Sequence, residues 1–356
     1  MIGHGGVFHL NTEKIVIKPI DHTYRLKQLD LFNKTFNKSF TVQKWVHKHF
    51  ENPYVGASEN IGMFKGDDLI AFNMFMPQEY FVDGKKKLFL QSCESVVDVE
   101  HRGHGYLGKI LLNAEKILSE HYDVIYGIPN SKSKKTFEKI GYKTKYNFDE
   151  MRMLGNSMAL LKEVVLRILL RLTKHSLSLN EKKIIEAQMS SSGPVEFLDV
   201  LPESWQSCND YGIRINNNRD FYEWKINKSL DRDSVIKYLC VRSEGKIKAF
   251  CVVSFSAPSG SCRAEILDIV CCKDEYEPIG QIITELKKRC SMIKFITPEF
   301  GRIKSFLMKE GFKIHCKNIF SLMYKVINEK AEDMEEKLGE SDSWEFQFIE
   351  ADTILN

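Results

Sequence analysis

The sequence lacks the features that mark membrane-spanning and secreted proteins. It contains no run of 18 uninterrupted apolar residues, so we expect no transmembrane helix. Its first residues, MIGHGG, do not form the basic and then apolar regions of a signal peptide. The nine cysteines include no C-x-x-C pair, and most of them lie in apolar runs. An odd number of such cysteines in a long chain indicates reduced, buried thiols, and we expect a cytoplasmic protein.

Neither the charged residues nor the possible metal ligands form a pattern that indicates a nucleic-acid or metal partner. The net charge is only +3, and Lys and Arg are scattered among Asp and Glu, so the composition does not favour nucleic acid. His47 and His49 stand at a possible ligand spacing, but no Cys or carboxylate set accompanies them, and we expect no metal site. A length of 356 residues predicts two domains.

The first half of the chain alternates strand and helix patterns. Strand patterns at 12–20 and 92–99 enclose two helical segments and two hairpins. The segment EHRGHGYLGKILL, residues 100–112, follows the second of these strands and opens an amphipathic helix. A buried strand at 123–130, a short helix ending at Gly141 and a last strand complete this half.

The second half repeats the first in the same order, which predicts two copies of one α/β unit. The comparison places Trp224 against Trp45 and Asp268 against Asp98. Where the first copy has EHRGHGYLGKILL, the second has CKDEYEPIGQIIT, without the arginine, with one glycine and with new acidic residues. Acidic side chains repel an anion, so we expect one anion site per chain.

The glycine-rich segment has the composition of an anion-binding loop. Glycine reaches positive φ and lets a phosphate approach the main chain closely. A strand that turns into a helix there presents backbone N–H groups at the positive end of the helix dipole. Arg102 and Lys109 would add charge-assisted hydrogen bonds. The loop by itself leaves open a second interpretation, a tight turn with no ligand.

The order of elements, with Arg102-Gly103-His104-Gly105-Tyr106-Leu107 at the strand–helix joint, resembles the GNAT acyltransferases. That family carries R/Q-x-x-G-x-G/A there and binds coenzyme A. Leu107 takes the place of the last Gly or Ala, and Gly108 follows it. The predicted fold class is therefore α/β (α+β), with tandem GNAT-like units, each a mixed, mostly antiparallel sheet flanked by helices. We predict a GNAT domain at 1–153, a connecting helix and linker at 154–194, a degenerate second GNAT-like domain at 195–326 and an acidic tail at 327–356.

The resemblance implies an acyl-CoA co-substrate and suggests which residues bind it. The backbone of Ser95, Val97 and Val99 would pair with the pantetheine arm as an added strand. Asn130 and Ser133 would contact the arm near the thioester. The pyrophosphate would lie on the glycine-rich loop, whose implied binding residues are Arg102, Gly103, His104, Gly105, Tyr106, Leu107, Gly108 and Lys109.

The reaction that the resemblance implies needs a base for the amine and a proton donor for the leaving thiolate. Many members use a glutamate on the strand before the loop and a tyrosine on the helix after the next strand. Phe137 stands at the tyrosine position here, which leaves Ser131, Ser133 and Tyr142 as alternative donors. The candidate bases are Glu94, Asp98, Glu100 and His101.

The segment NNNRDFYEWKIN, residues 216–227, predicts an acceptor site. Arg219, Tyr222 and Lys225 would stack on a base and meet a diphosphate. YGIPNSKSKKTFEKIGYK resembles the GNAT subgroup of polysaccharide and sugar-nucleotide pathways, which implies acyl transfer to the amine of a dTDP-linked amino sugar. Two alternatives stay open: transfer to another small amine or a protein amine, and a non-catalytic GNAT-fold binding protein.

The helical segment 158–175 combines a wide apolar face with a basic stripe. Such a helix lies either on a membrane surface or between the two units. We expect the second arrangement, a helix clamped between the units. We also expect Trp344 and Phe346 to hold the acidic tail against the body, and the sequence leaves the oligomeric state open.

Overall fold

The computed structural model describes residues 14–173, 181–189, 193–205, 212–226, 235–258, 260–272, 275–340 and 343–351. The first half contains six strands and four helices. In chain order they are β1 (Ile15–Pro19), α1 (Arg25–Phe36), α2 (Val42–Phe50), β2 (Glu59–Lys65), β3 (Asp68–Val82), β4 (Lys85–Val97), α3 (Tyr106–Leu118), β5 (Val124–Gly127), α4 (Ser131–Lys139) and β6 (Lys143–Leu154).

The second half follows the same plan after two connecting helices. Its elements are α5 (Ser157–Thr173), α6 (Glu181–Gln188), β7 (Val195–Leu198), β8 (Ile213–Ile215), α7 (Arg219–Lys225), β9 (Val235–Ser243), β10 (Lys246–Ser256), β11 (Arg263–Cys271), α8 (Glu277–Arg289), β12 (Met292–Pro298), α9 (Arg302–Lys309) and β13 (Lys313–Val326). The tail adds α10 (Glu332–Gly339) and β14 (Trp344–Glu345).

Side chains cap the starts of several helices. Thr41 accepts a hydrogen bond from the Lys44 amide at the start of α2, which fixes the first turn of that helix. The strand predicted at 92–99 ends two residues early, at Val97. The reason is Asp98, whose side chain accepts from the Glu100 amide at 3.1 Å and turns the chain into one turn of 3₁₀-helix.

All the strands in the described ranges belong to one sheet, which is continuous across the two halves. Along its main path the order is β1-β2-β3-β4-β5-β13-β6-β12-β11-β10-β9-β7, and β8 joins β3 to β14. Most neighbours are antiparallel, whereas β4–β5, β11–β12 and β8–β14 are parallel. The predicted mixed, mostly antiparallel sheet flanked by helices is confirmed.

The two halves exchange their last strands at the centre of this sheet. β6 ends the first half but pairs with β12 of the second, and β13 ends the second half but pairs with β5 of the first. β6 and β13 also pair with each other. Hydrogen-bonded strands follow one another without a gap from β5 through β13 and β6 to β12, so the two halves do not form separate sheets.

Three apolar clusters flank the sheet. One lies under α3, and a second lies under α8 in the other half. The largest contains residues of both halves, including Trp45, Trp224 and Phe346. The acidic tail therefore contributes core residues, because Trp344 and Phe346 are buried there beside Tyr80, Phe89 and Tyr126.

Helix α5 is not clamped between the two units, contrary to the prediction. Its Glu163 contacts Ser261, Arg263 and Ser291, which all belong to the second half. Met158 and Leu161 on another side of α5 are more than half exposed. A helix clamped between two units would bury that side. Residues 174 and 175 of the predicted helix lie outside the described residues.

Candidate functional site

A deep cleft opens in the first half where β4 and β5 separate. The two strands pair in parallel as far as Ser92 and Gly127, after which β5 ends and β4 continues to Val97. The opening has a volume of about 1030 Å³. Its lining comes from α1, β4, the glycine-rich loop and the start of α4, and it consists of Thr35, Phe36, Ser92, Cys93, Glu94, Ser95, Val97, His101, Arg102, Gly103, Gly105, Tyr106, Leu107, Ile128, Pro129, Asn130, Ser131, Lys132, Ser133, Thr136 and Phe137.

The glycine-rich loop forms one end of the cleft and leads into α3. Gly103 and Gly105 have φ of +86° and +70°, and a Cβ added to either would meet no atom within 4 Å. The glycines therefore serve backbone conformation, not packing. Gly108 differs, because a Cβ there would lie 3.4 Å from Cγ2 of Thr136, so this glycine lets α3 approach α4.

The first turn of α3 offers backbone donors at this end of the cleft. The Lys109 amide already donates to the Gly105 carbonyl, at 3.2 Å. The amides of Tyr106, Leu107 and Gly108 come before it, in the turn where N–H groups have no partner within the helix. Leu107 packs its side chain against the core under α3. A bulky residue at this position is therefore compatible with an amide that faces an anion.

The side chains of the loop add positive charge and aromatic surface. Arg102 lines the cleft, and its Nε donates to the Val97 carbonyl at 3.3 Å, which ties the loop to the end of β4. The Lys109 ammonium lies 5.3 Å from the centre of the Tyr106 ring. The centre of the exposed His104 ring lies 5.4 Å from the centre of the same tyrosine ring. Val99, predicted to extend the strand, lies in the 3₁₀ turn, where its carbonyl accepts from the Arg102 amide.

The start of α4 forms the opposite wall of the cleft. Asn130 caps this helix by accepting from the amides of Lys132 and Ser133 at 3.0 and 3.1 Å. The Ser133 hydroxyl donates back to the Asn130 carbonyl at 3.3 Å. Ser131 and Lys132 are exposed beside it. The sequence-predicted residues on the two walls thus come together around one cleft.

Glu94 lies inside the cleft at a β-bulge. Phe72 faces Val96 and Met74 faces Cys93, so Asn73 alone stands opposite both Glu94 and Ser95. Glu94 has a φ of +43°, and the bulge turns its main chain out of the regular ladder. The Ser95 hydroxyl donates to the side chain of the fully buried Asn73, which fixes this part of the strand.

Two side chains of α2 face the Glu94 carboxylate. The ammonium of Lys48 forms an ion pair with it, and Nε2 of His49 lies 3.8 Å from Oε1. Lys48 and His49 are completely buried, while 8 % of the Glu94 side chain is exposed. Burial and the neighbouring Lys48 charge hold the pKa of His49 well below its usual range, so its ring is neutral.

The other predicted bases take different places. Asp98 pairs with Lys34 at 2.8 Å, and hydrogen bonding to that ammonium holds the pKa of its carboxyl below its usual range. Glu100 is exposed in the 3₁₀ turn. His101 lines the cleft, and among the described residues none hydrogen-bonds its buried Nδ1.

The predicted proton donors divide between the cleft and the core. Tyr142 is buried in the cluster under α3, with its ring 4.8 Å from the ring of Phe137. Burial raises the pKa of Tyr142 well above its usual value. Ser131 and Ser133 line the cleft, so of these three hydroxyls they are the ones at its surface.

The predicted acceptor residues do not form an open site, and this prediction is corrected. Tyr222 is completely buried, with its hydroxyl donating to Asp268. Lys225 is also completely buried and donates to the carbonyls of Glu350 and Ala351. Arg219 is bound to Glu223 and to the Pro202 carbonyl. The aromatic and cationic pattern arose from core packing of a short helix.

Strand register also corrects the match between the halves. The matched residues Ala71 and Ala249 face Val97 in the first half and Cys271 in the second, so Val97 corresponds to Cys271. Glu94 lies three residues before Val97, and Asp268 lies three residues before Cys271. The parallel pairing agrees, because it ends at Ser92 in β4 and at Ile266 in β11, two residues before the same carboxylates. The match of Asp98 with Asp268 was wrong. Strand patterns repeat every two residues, so an alignment displaced by four residues fits the apolar alternation equally well.

In the second half the chain's own tail fills the corresponding place. The side chain of Gln347 accepts from the Ile269 amide at 2.9 Å and donates to the Ile269 carbonyl at 2.7 Å. Ile269 corresponds to Ser95 by the same register. The space left is about 40 Å³, and its lining includes Asp268, Glu345 and Glu350. Burial raises the pKa of Asp268 to about 6 and that of Glu345 to about 7.

Sequence reasoning missed the two residues that surround Glu94. His49 was considered only for its spacing from His47, and Lys48 was not considered. Lys48 follows Trp45 by three residues, which places both on one face of α2. A lysine on the face that buries a tryptophan requires a counter-ion, and that signal could have found its pair with Glu94.

Part of the first half matches a known protein family. Residues 16–144 match the family model of the acetyltransferase (GNAT) domain. No curated protein matches the sequence.

Three solved structures have a similar fold over most of this chain. A GCN5-related N-acetyltransferase from Anabaena variabilis has a TM-score of 0.60 at 11% identity, covering 88% of this chain and 73% of its own. A probable N-acyltransferase from Enterococcus faecalis has a TM-score of 0.60 at 13% identity, with the same coverage. A tandem GNAT protein from the clavulanic acid biosynthesis pathway has a TM-score of 0.51 at 9% identity, covering 88% of this chain and 99% of its own.

Proposed function

We propose that this chain is an acyltransferase, which transfers an acyl group from a CoA thioester to an amine. Residues 16–144, which match the acetyltransferase (GNAT) domain model, support this proposal. The observation that carries the proposal is the cleft between β4 and β5, with the glycine-rich loop at one end and the Glu94 bulge inside it. The bulge lies on β4 and the loop follows the end of that strand, so Arg102 comes eight residues after Glu94.

The donor set of the loop fits a diphosphate. Glycines with positive φ leave open space beside the main chain, and the first turn of α3 supplies unpartnered N–H groups. Arg102 and Lys132 bring positive charge to the two walls. The edge of β4 at Ser95 and Val97 would pair with the pantetheine arm, and Val99 would not, because it lies beyond the strand end.

The thioester supplies the activated acyl group, and Glu94 is our candidate for the base. In the transfer the amine nitrogen forms a bond to the acyl carbon, the carbon–sulfur bond breaks, the amine loses a proton and the thiolate gains one. Glu94 would take the amine proton, held in place by Lys48 and by the neutral His49. A main-chain amide freed by the bulge would donate to the carbonyl oxygen. Ser131 and Ser133 are the candidate donors to the thiolate.

The first test is protection of the folded chain by coenzyme A. A ligand that binds only the folded state raises the free energy of unfolding by RT ln(1 + [L]/Kd), about 2.7 kcal/mol at 100-fold excess over Kd. We expect a rise in the melting temperature with coenzyme A. A folded sample that gains no stability at millimolar coenzyme A would contradict the acyltransferase proposal and favour a binding protein of another specificity.

The acceptor is tested by thiol release from acetyl-CoA with a panel of amines. The dTDP-linked amino sugars, which the sequence resemblance implied, belong in the panel together with polyamines and lysine peptides. The residues predicted to hold the sugar nucleotide are buried or bound within the second half, so the proposal names only the amine. Turnover with one class and silence with the others would assign the acceptor.

A further inference from the structure

Helix α5 presents an apolar face away from the body of the protein. On this face the side chains are between 46% and 61% exposed. Exposed apolar patches on one continuous helix face are uncommon unless the face binds something. The exposed apolar residues of α5 are Met158, Leu161, Val164, Val165 and Ile168.

The orientation of α5 is fixed by its opposite side. Glu163 is buried, and its carboxylate contacts the Arg263 guanidinium and the hydroxyls of Ser261 and Ser291, the latter two at 2.7 and 3.0 Å. At 100° per residue Glu163 lies roughly 160° from Leu161 and from Val165. A helix rotated to bury the apolar face would expose this ion pair, so the outward direction of that face is set by Glu163.

The rim of the apolar face is positively charged. Lys162 is exposed on α5 and Lys287 is exposed at the end of α8, where the exposed Lys288 forms an ion pair with Glu285 at 3.2 Å. This end of α8 is close to the start of α5, because the Asn156 side chain donates to the Lys288 carbonyl at 2.9 Å. The one carboxylate of α5 is Glu163, which is buried. The face therefore offers apolar side chains and cations together.

We propose that α5 binds the surface of a phospholipid bilayer that contains anionic lipid. Apolar side chains would enter the boundary between headgroups and acyl chains, and the lysines would meet lipid phosphates. The cationic rim favours this partner over a second copy of the chain, because two-fold symmetry would bring the same lysines together. None of the helices in the described parts of the chain is long and apolar enough to cross a bilayer, so the helix would lie along the surface.

The test is sedimentation of the full chain with vesicles. We expect binding to vesicles of phosphatidylcholine mixed with phosphatidylglycerol, weaker binding at high salt, and little binding to phosphatidylcholine alone. The double variant Leu161→Glu with Val165→Glu should lower the partition coefficient about tenfold or more, because it replaces two apolar side chains that would be buried in the bilayer by charged ones. Both positions are exposed, so the variant should fold.

The control is Val200→Glu, which adds one of the two negative charges of the double variant at a valine that is 71% exposed outside α5. It should bind vesicles nearly as wild type does. Light scattering without lipid gives the oligomeric state of each protein. Absence of binding to the anionic vesicles, equal binding by the α5 double variant, or a wild-type dimer that this variant converts to a monomer without changing vesicle binding would overturn the proposal.

Discussion

The two halves share one chain path, but only the first keeps an open cleft. Between β4 and β5 the space is about 1030 Å³ and Glu94 reaches it. In the corresponding part of the second half the space is about 40 Å³, and Gln347 of the tail occupies the edge of β11 with a pair of hydrogen bonds. The second half therefore has a strand bulge and a carboxylate beside it but neither the glycine-rich loop nor an unfilled strand edge.

Among the variants that distinguish the two halves, replacement of Glu94 should have the largest effect, on kcat. Glu94→Gln should lower kcat by about 10²–10⁴-fold, because an amide cannot take the proton of the amine. Asp268→Asn changes the corresponding carboxylate of the second half and should leave kcat close to wild type. The measurement is acetyl transfer across a pH series, in which the Glu94 variant should lose the part of the acidic limb that arises from deprotonation of the base.

A second variant separates chemistry from stability at this site. Glu94→Gln leaves the completely buried Lys48 without its carboxylate, which destabilises the fold. Combining Glu94→Gln with Lys48→Met removes both charges and should restore the melting temperature but not the rate. A Glu94→Gln protein with wild-type kcat would eliminate Glu94 as the base.

The buried carboxylate of the second half should appear as a pH dependence of stability. Burial raises the pKa of Asp268 from its ordinary 3.8 to about 6, so between about pH 4 and pH 6 the folded chain holds a proton that the unfolded chain has released. This contribution is lost as pH rises through that window. Relative to wild type, the free energy of unfolding of Asp268→Asn should rise by up to about 3 kcal/mol from pH 4 to pH 7.

Asp98→Asn is the control for that pH dependence. Hydrogen bonding to Lys34 lowers the pKa of Asp98, so its stabilising contribution is present at neutral pH and is lost as pH falls. The relative stability of Asp98→Asn should therefore not increase with pH. Denaturant unfolding at several pH values measures both variants, and parallel curves for the two would contradict the assignment of Asp268.

Removing the tail contact should destabilise the second half without opening a second donor site. Gln347→Ala leaves the buried amide and carbonyl of Ile269 without these partners, which should cost about 2 kcal/mol in the free energy of unfolding. Gln43→Ala, on the exposed side of α2, should cost much less. Calorimetry should still give one coenzyme A per chain, and a value of two would show that the tail alone closes the second cleft.

The smallest expected effect tests the glycine loop against a hairpin glycine. Gly105→Val and Gly245→Val both place a β-branched residue at positive φ, +70° and +76°, with no atom within 4 Å of the new Cβ. Their backbone strain should be similar. Gly105→Val should weaken coenzyme A binding about tenfold, whereas Gly245→Val should not change it, as measured by calorimetry. Equal affinities would remove the loop from the donor site.

Much of this organisation could be predicted from the sequence because it depends on local patterns. Glycine spacing and apolar periodicity located the loop, α3 and the repeat, and the predicted fold class is confirmed. The acceptor residues failed for a physical reason: an aromatic-plus-cation pattern looks the same whether it faces a ligand or the core. Tyr222 and Lys225 face the core, where Asp268 and the tail carbonyls of Glu350 and Ala351 are their hydrogen-bond partners.

The sequence by itself determined the duplicated plan, the turn at Gly103 and Gly105, and the loss of that turn in the second copy. These properties depend on residues close together along the chain. The tertiary structure alone decided the exchange of β6 and β13, the burial of Lys48 against Glu94 and the tail in the second cleft. Each of these brings together segments far apart in sequence, and a periodic pattern on one segment specifies that it needs a partner, not which partner it meets.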